Sequence, residues 1–236
     1  MKQRIWELDA LRGLCILGMV VIHFIYDLVE LFALVQWNYP ALFIFIRDQG
    51  GILFLLLSGI CVTLGSHHIR RGLLVFGCGM LCTAVTYGMT FFGFAHSGLT
   101  IWFGVLHCLG VCMLLWSVFH KLPTPVLAVV GVLAIGAGMY FDAAVRVDFP
   151  WLTGLGIRTS SFASSDYFPI FPNLGYFLIG AVLGKTLYRK QQSLFPKIRS
   201  TSPIPAFFCA CGRHSLWIYL LHQPALAAFF AVITLL

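Results

Sequence analysis

Charge is what this chain has least of. Asp, Glu, Lys and Arg make up 10% of its 236 residues, where a soluble domain carries about a quarter. Hydrophobic residues make up 60% and the mean hydropathy is +0.92, so a water-soluble globular domain is excluded. No internal repeat is evident, which speaks against an inverted-repeat transporter. The basic N-terminus is followed by an apolar run too long for a signal-peptide core and without a small-residue cleavage site, so no cleavable leader is expected. The eight cysteines make no disulfide framework. Cys78/Cys82 and Cys108/Cys112 lie four apart inside apolar runs, where Cys acts as a small apolar residue. Cys209 and Cys211 have too few neighbouring ligands for a metal site, and no metal is expected. The glycines do not follow a strand as a phosphate-binding loop would. They suit close helix packing instead, as at Gly77/Gly79, Gly104/Gly110, Gly131/Gly136/Gly138 and Gly180/Gly184.

Long apolar runs are what the chain has in abundance. Seven are long enough for a hydrocarbon core about 30 Å thick, near residues 10–35, 51–66, 72–92, 101–119, 124–141, 169–187 and 214–235. Residues 41–50 extend the second run outward or lie at the interface. The expected fold is all-α: one polytopic membrane bundle of about seven transmembrane helices, a single domain over residues 1–236. With the N-terminus inside, Lys2, Arg4, Arg12, Arg70, Arg71, Lys121, Lys185, Arg189, Lys190, Lys197, Arg199 and Arg213 fall on the inner side. Only Arg47, Arg146 and Arg158 fall outside. That asymmetry predicts N-in and C-out. The net charge of +7 therefore needs no nucleic acid partner and suits short basic loops facing an anionic bilayer surface. Two connections are long. The outer one, 142–168, holds Asp142, Arg146, Asp148, Arg158 and Asp166 and is expected to cap the bundle. The inner one, 188–213, is rich in Pro, Ser, Lys and Arg and reads as a mobile linker.

The most informative feature is a polar stripe on the first run: Asp9, Arg12, His23, Asp27 and Glu30. At about 100° per residue, Arg12 and His23 lie roughly 20° apart around a helix, Glu30 is nearly in line with Arg12, and Asp9 and Asp27 fall within about 60°. Ionisable groups in hydrocarbon are expensive unless paired or hydrated, so an aligned row marks a polar path or site. His23 lies about 18 Å along the helix from Leu11, in the outer half of the membrane. Asp27, one turn on, is placed to orient its imidazole and leave the other ring nitrogen as a base. The alternative is a His–Asp pair that only locks helix packing. Arg12, with Asp9 three residues before it, is placed to bind a phosphate from the cytosol or to anchor the helix as a local ion pair. His107 sits at a similar depth on the fourth run and is either a second base or a satisfied core histidine. His222, beside Pro224, is either functional or occupied in satisfying a proline kink. His67, His68, His96, His120 and His214 fall at helix ends.

The opening ELDALRGLCILGMVVIHFIYDL resembles that of the heparan-α-glucosaminide N-acetyltransferase catalytic-domain family, part of a wider group of transmembrane acyltransferases. The resemblance is carried by Leu8-Asp9, Arg12-Gly13, His23-Phe24 and Asp27-Leu28, and in order by 102–110 (WFGVLHCLG), 166–184 (DYFPIFPNLGYFLIGAVLG) and 211–224 (CGRHSLWIYLLHQP). It implies transfer of an acyl group, typically acetyl, from cytosolic acyl-CoA as co-substrate to a small-molecule or glycan acceptor. Arg12, Asp9 and Arg213 would then lie near the CoA phosphates, with His23, Asp27, His107 and His222 as candidate catalytic groups. The histidine would act as general base or carry the acyl group itself. The chain is much shorter than the animal lysosomal member, whose catalytic histidine lies in a luminal segment after the matching helix. Here no His occurs between His23 and His67, so that role falls to His23 or to another helix. The compactness looks bacterial, which points to a cytoplasmic membrane, and a heparan substrate is not implied. A homodimer is compatible with the sequence. Two other classes stay open: a transporter or channel for a small polar solute, with the stripe as its path, and a structural membrane protein.

Overall fold

The computed structural model describes residues 4–93, 97–144, 147, 149–196 and 202–235. Lys2, His96, Arg146, Asp148, Lys197 and Arg199 lie outside the described residues. Eight α-helices run in the order α1 Trp6–Tyr26, α2 Ala41–Leu64, α3 His68–Phe91, α4 Val105–Phe119, α5 Thr124–Ala144, α6 Ile170–Leu187, α7 Pro203–Arg213 and α8 Ser215–Leu235. Among the described residues there is no strand, and the only extended pairing is an isolated bridge between Phe103 and Tyr167. Six helices are long and apolar enough to cross a membrane: α1 with its continuation to Leu31, α2, α3, α5, α6 and α8. Large apolar side chains such as Leu73, Val85, Leu133 and Val232 stand exposed on them. The protein is a multi-pass membrane protein. The expected seventh span is α4, which is apolar but has 15 residues and rises only about 22 Å. The chain at 101–104 is not helical. Residues 41–50 do extend the second span, as part of one continuous α2.

The chain forms two compact units, residues 1–57 with 190–236, and residues 58–189. In the first, α1 starts with Glu7 and Asp9 in its first turn, where the helix dipole favours negative charge. The Glu7 carboxylate is buried and accepts hydrogen bonds from Ser193 Oγ and Leu194 N–H, both at 2.8 Å. The start of the inner connection is thus tied to α1. Its end is α7, with Pro203 in the first turn after Ser202, where a proline is pre-organised for a helix and loses no needed N–H. Part of the expected linker is therefore a packed helix: its prolines mark a helix start. The α1–α7 crossing depends on two glycines. A Cβ on Gly13 would overlap the Phe208 carbonyl, and one on Gly212 would overlap the Asp9 carbonyl. Gly212→Leu should lower stability by about 1–3 kcal/mol, the usual effect of overpacking. Gly77→Ala, at a position where an added methyl group would meet no atom within 4 Å, should leave the detergent melting curve in place. Equal melting temperatures for the two variants would remove the crossing from the stability argument.

In the second unit glycines again set the helix contacts. Gly59 meets the Phe177 backbone, Gly184 the Ile60 backbone, and Gly110 the backbone of Phe76. The 142–168 connection is ordered where described. Arg158 pairs with Asp142 and lies over the Tyr167 ring at 5.8 Å. Tyr167 donates to the Thr153 carbonyl at 2.8 Å, and Ser164 Oγ donates to the Thr100 carbonyl at 3.0 Å. These bonds tie the connection to the residues that precede α4.

Candidate active site

Two groups of the polar stripe, His23 and Asp27, meet partners on α8. Helix α1 widens at Asp27 into a π-helical turn, Asp27–Leu31, a local form that often marks functional sites. The 100° phasing fails from that residue onward. Glu30 consequently leaves the row. It is exposed and accepts from Tyr39 Oη at 3.3 Å.

Asp27 stays inside, with 0% of its surface exposed. Its carboxylate is not bonded to His23 as expected. Gln223 Nε2 donates to both Asp27 oxygens, at 3.0 Å each. His23 is oriented by its own helix, with Nδ1 2.9 Å from the Met19 carbonyl. His222 repeats that arrangement on α8, with Nδ1 2.6 Å from the Tyr219 carbonyl. The two imidazoles meet edge to face, ring centroids 4.8 Å apart and planes at 71°.

The tautomers follow from the acceptors. A carbonyl oxygen can only accept, so each Nδ1 carries the proton and each Nε2 holds a lone pair. His222 Nε2 is buried and has no partner among the described residues, and the same holds for Gln223 Oε1. On the same two helices Phe24 packs on Phe230 at 5.1 Å, and Phe32, at the end of the π turn, packs on Phe230 at 5.2 Å. The result is two oriented bases beside a buried carboxylate.

The inner end of the stripe is also built in this unit. Asp9 pairs with Arg12 at 3.5 Å and with Arg4 at 3.7 Å. Asp9, Arg4 and Arg213 line a cavity of about 190 Å³ with Trp6, Ala206 and Cys209. Ligand pockets for drug-sized molecules run to about 300–1,000 Å³, so this one is smaller than those. It brings Asp9 and Arg213 together, while Arg12 joins through its ion pair.

His107 belongs to the second unit and is fully occupied there. It is buried at the third position of α4. Its Nδ1 accepts from Gly104 N–H at 3.2 Å, and Nε2 lies 3.3 Å from Thr83 Oγ1, which itself donates to the Ile101 carbonyl at 2.6 Å. Asp166 Oδ2 accepts from Val105 N–H at 3.0 Å. Together these groups cap the helix start, the bland alternative for a core histidine.

The chain matches the family described as heparan-alpha-glucosaminide N-acetyltransferase, catalytic, over residues 4–224. It belongs to that family. No curated protein and no solved structure matches it. The match covers α1 and the first part of α8, which holds His222 and Gln223. Gln223, the hydrogen-bond partner of Asp27, is the residue of this cluster that sequence reading overlooks. Its signal was present, a second hydrogen-bonding side chain in the middle of an apolar run and next to a histidine and a proline.

Proposed function

We propose that this protein is a membrane acyltransferase that moves an acyl group, acetyl in the simplest case, from cytosolic acyl-CoA to an amine or hydroxyl on an acceptor reached from the other side of the membrane, sugars included. The single observation that supports this most is the His23–His222 pair, each Nδ1 held by a carbonyl, next to the buried Asp27. In this reading Nε2 of His222 takes the proton from the acceptor as its nitrogen or oxygen attacks the thioester carbonyl. The carbon–sulfur bond breaks, and the proton passes from Nε2 to the departing thiolate, giving acylated acceptor and free CoA. The Asp27 carboxylate balances the imidazolium formed in between. A bacterial cytoplasmic membrane and a single functional domain suit the short loops and the span of the match.

The test is transfer of radiolabelled acetyl from acetyl-CoA by the purified protein to a panel of amino sugars and polyols, against a blank without protein. Absence of both transfer and acetyl-CoA binding overturns the reading. Binding itself makes a separate prediction. Arg213→Ala and Arg12→Ala should each weaken acetyl-CoA affinity by about tenfold, the value of one charge-assisted hydrogen bond, and salt should reduce the difference. Wild-type affinity in folded Arg12→Ala would leave Arg12 as a helix anchor.

We take the short apolar α4 as a seventh crossing beside the six long helices, which keeps the orientation N-in and C-out on the asymmetry of basic residues. A cysteine at Lys190 should be shielded from an impermeant maleimide in intact cells, and one at Arg158 should be labelled, in a background lacking exposed native cysteines. The reverse pattern would invert the site and remove the cytosolic supply of donor.

A further inference from the structure

The second unit carries a cavity that the proposed reaction does not use. It lies where the start of α3 meets the end of α4 and has a volume of about 740 Å³. Its polar wall is made by Arg70, Lys121, His67, His68, His120 and Ser117. Between Asp48 and Asp142 the sequence contains no Asp or Glu. The ion pairs among the described residues are Arg4–Asp9, Arg12–Asp9, Arg47–Asp48 and Arg158–Asp142, so neither Arg70 nor Lys121 has a carboxylate partner there. Two full positive charges thus face one cavity with no carboxylate among the described residues to balance them.

Other donors point the same way. α3 is 24 residues long and its N-cap, His67, makes no side-chain cap, so among the described residues no cap side chain takes the N–H groups of its first turn, which favour an anion. His68 Nδ1 is buried and has no partner among the described residues. The opposite wall is held in place, since Lys185 Nζ donates to the His120 and Leu122 carbonyls at 3.0 and 3.1 Å. The remaining wall is apolar. Ile69 and Leu73 line it with 56% and 57% of their surfaces exposed. An inorganic anion would fill little of this volume and would not use the apolar side.

We infer that this cavity binds a phosphate ester, its charged oxygens on Arg70, Lys121 and the α3 N-terminus and its apolar remainder along Ile69 and Leu73. Two sources carry that chemistry: the headgroup of an anionic phospholipid, as in other basic pockets between membrane helices, and a soluble nucleotide. The site is independent of the acyl-transfer reading, because no residue of the His23–His222 cluster takes part.

The experiment measures equilibrium binding to the full chain in detergent in two arms, dioctanoylphosphatidylglycerol against dioctanoylphosphatidylcholine, and adenosine 5′-monophosphate. The paired change Arg70→Gln with Lys121→Gln should weaken whichever ligand binds by about 10–100-fold, two charge-assisted hydrogen bonds being lost. Arg47→Gln, at an exposed ion pair, should leave it unchanged. Loss in the lipid arm names a lipid site, and loss in the nucleotide arm names a soluble ligand. A photoactivatable phosphatidylglycerol or nucleotide probe should cross-link wild-type protein within residues 67–73 or 117–121, which keeps the test independent of how the variant folds. Phosphatidylglycerol binding no tighter than phosphatidylcholine together with no adenosine monophosphate binding, equal affinity in the paired variant, or cross-links elsewhere would overturn the inference.

Discussion

His222→Gln protein should turn over acetyl-CoA and acceptor about 10²–10⁴-fold more slowly than wild type, the range that general-base assistance supplies. The amide fills the space of the imidazole and can still donate toward the Tyr219 carbonyl that holds Nδ1 at 2.6 Å, but it cannot take a proton at neutral pH. Folding and acetyl-CoA affinity should therefore stay near wild type while kcat falls. His23→Gln should also be impaired, because its ring packs edge to face at 4.8 Å from His222 and fixes where that base sits. The measurement is steady-state transfer with both substrates varied, beside equilibrium donor binding. Turnover within a few fold of wild type in His222→Gln, with a severe loss in His23→Gln, would move the base to α1. Normal turnover in both would make the cluster a packing device.

The second large effect concerns Gln223. Its amide is the hydrogen-bond donor to both oxygens of a carboxylate that has no exposed surface. Gln223→Leu leaves that carboxylate buried and unpaired, which costs about 3 kcal/mol, more than the loss of a neutral bond would. A clear drop in the detergent melting temperature and a loss of transfer are expected together. The double variant Asp27→Leu with Gln223→Leu removes both partners and should regain most of the stability, since replacing a whole polar pair by apolar groups is often nearly neutral. Activity should stay lost, because the charge that balances the imidazolium is gone. Recovery of transfer in the double variant would show that Asp27 and Gln223 serve packing alone. Failure to recover stability would show that the pair acts in folding beyond their mutual bond.

Hydropathy and the 3.6-residue period are properties of single helices. The membrane class, the long spans and the row formed by Asp9, Arg12, His23 and Asp27 are therefore legible in residue order alone. The ordered motifs from Leu8 to Pro224 likewise carry the family. Helices that are apolar all round hold no signal for which face meets which neighbour. Only tertiary contact decided that Asp27 is held by Gln223 rather than by His23, that His222 is the ring beside His23, and that His107 is used up in capping α4. Backbone geometry decided two further points. The π turn at Asp27 broke the angular phase that had aligned Glu30 with the stripe. The pressing of Gly13 and Gly212 against facing carbonyls turned a proline-rich connection into the packed helix α7. Local chemistry, in short-range patterns, determined what each helix is; close backbone approach and buried hydrogen bonds, which join residues as far apart as Asp27 and Gln223, determined which side chains share a site.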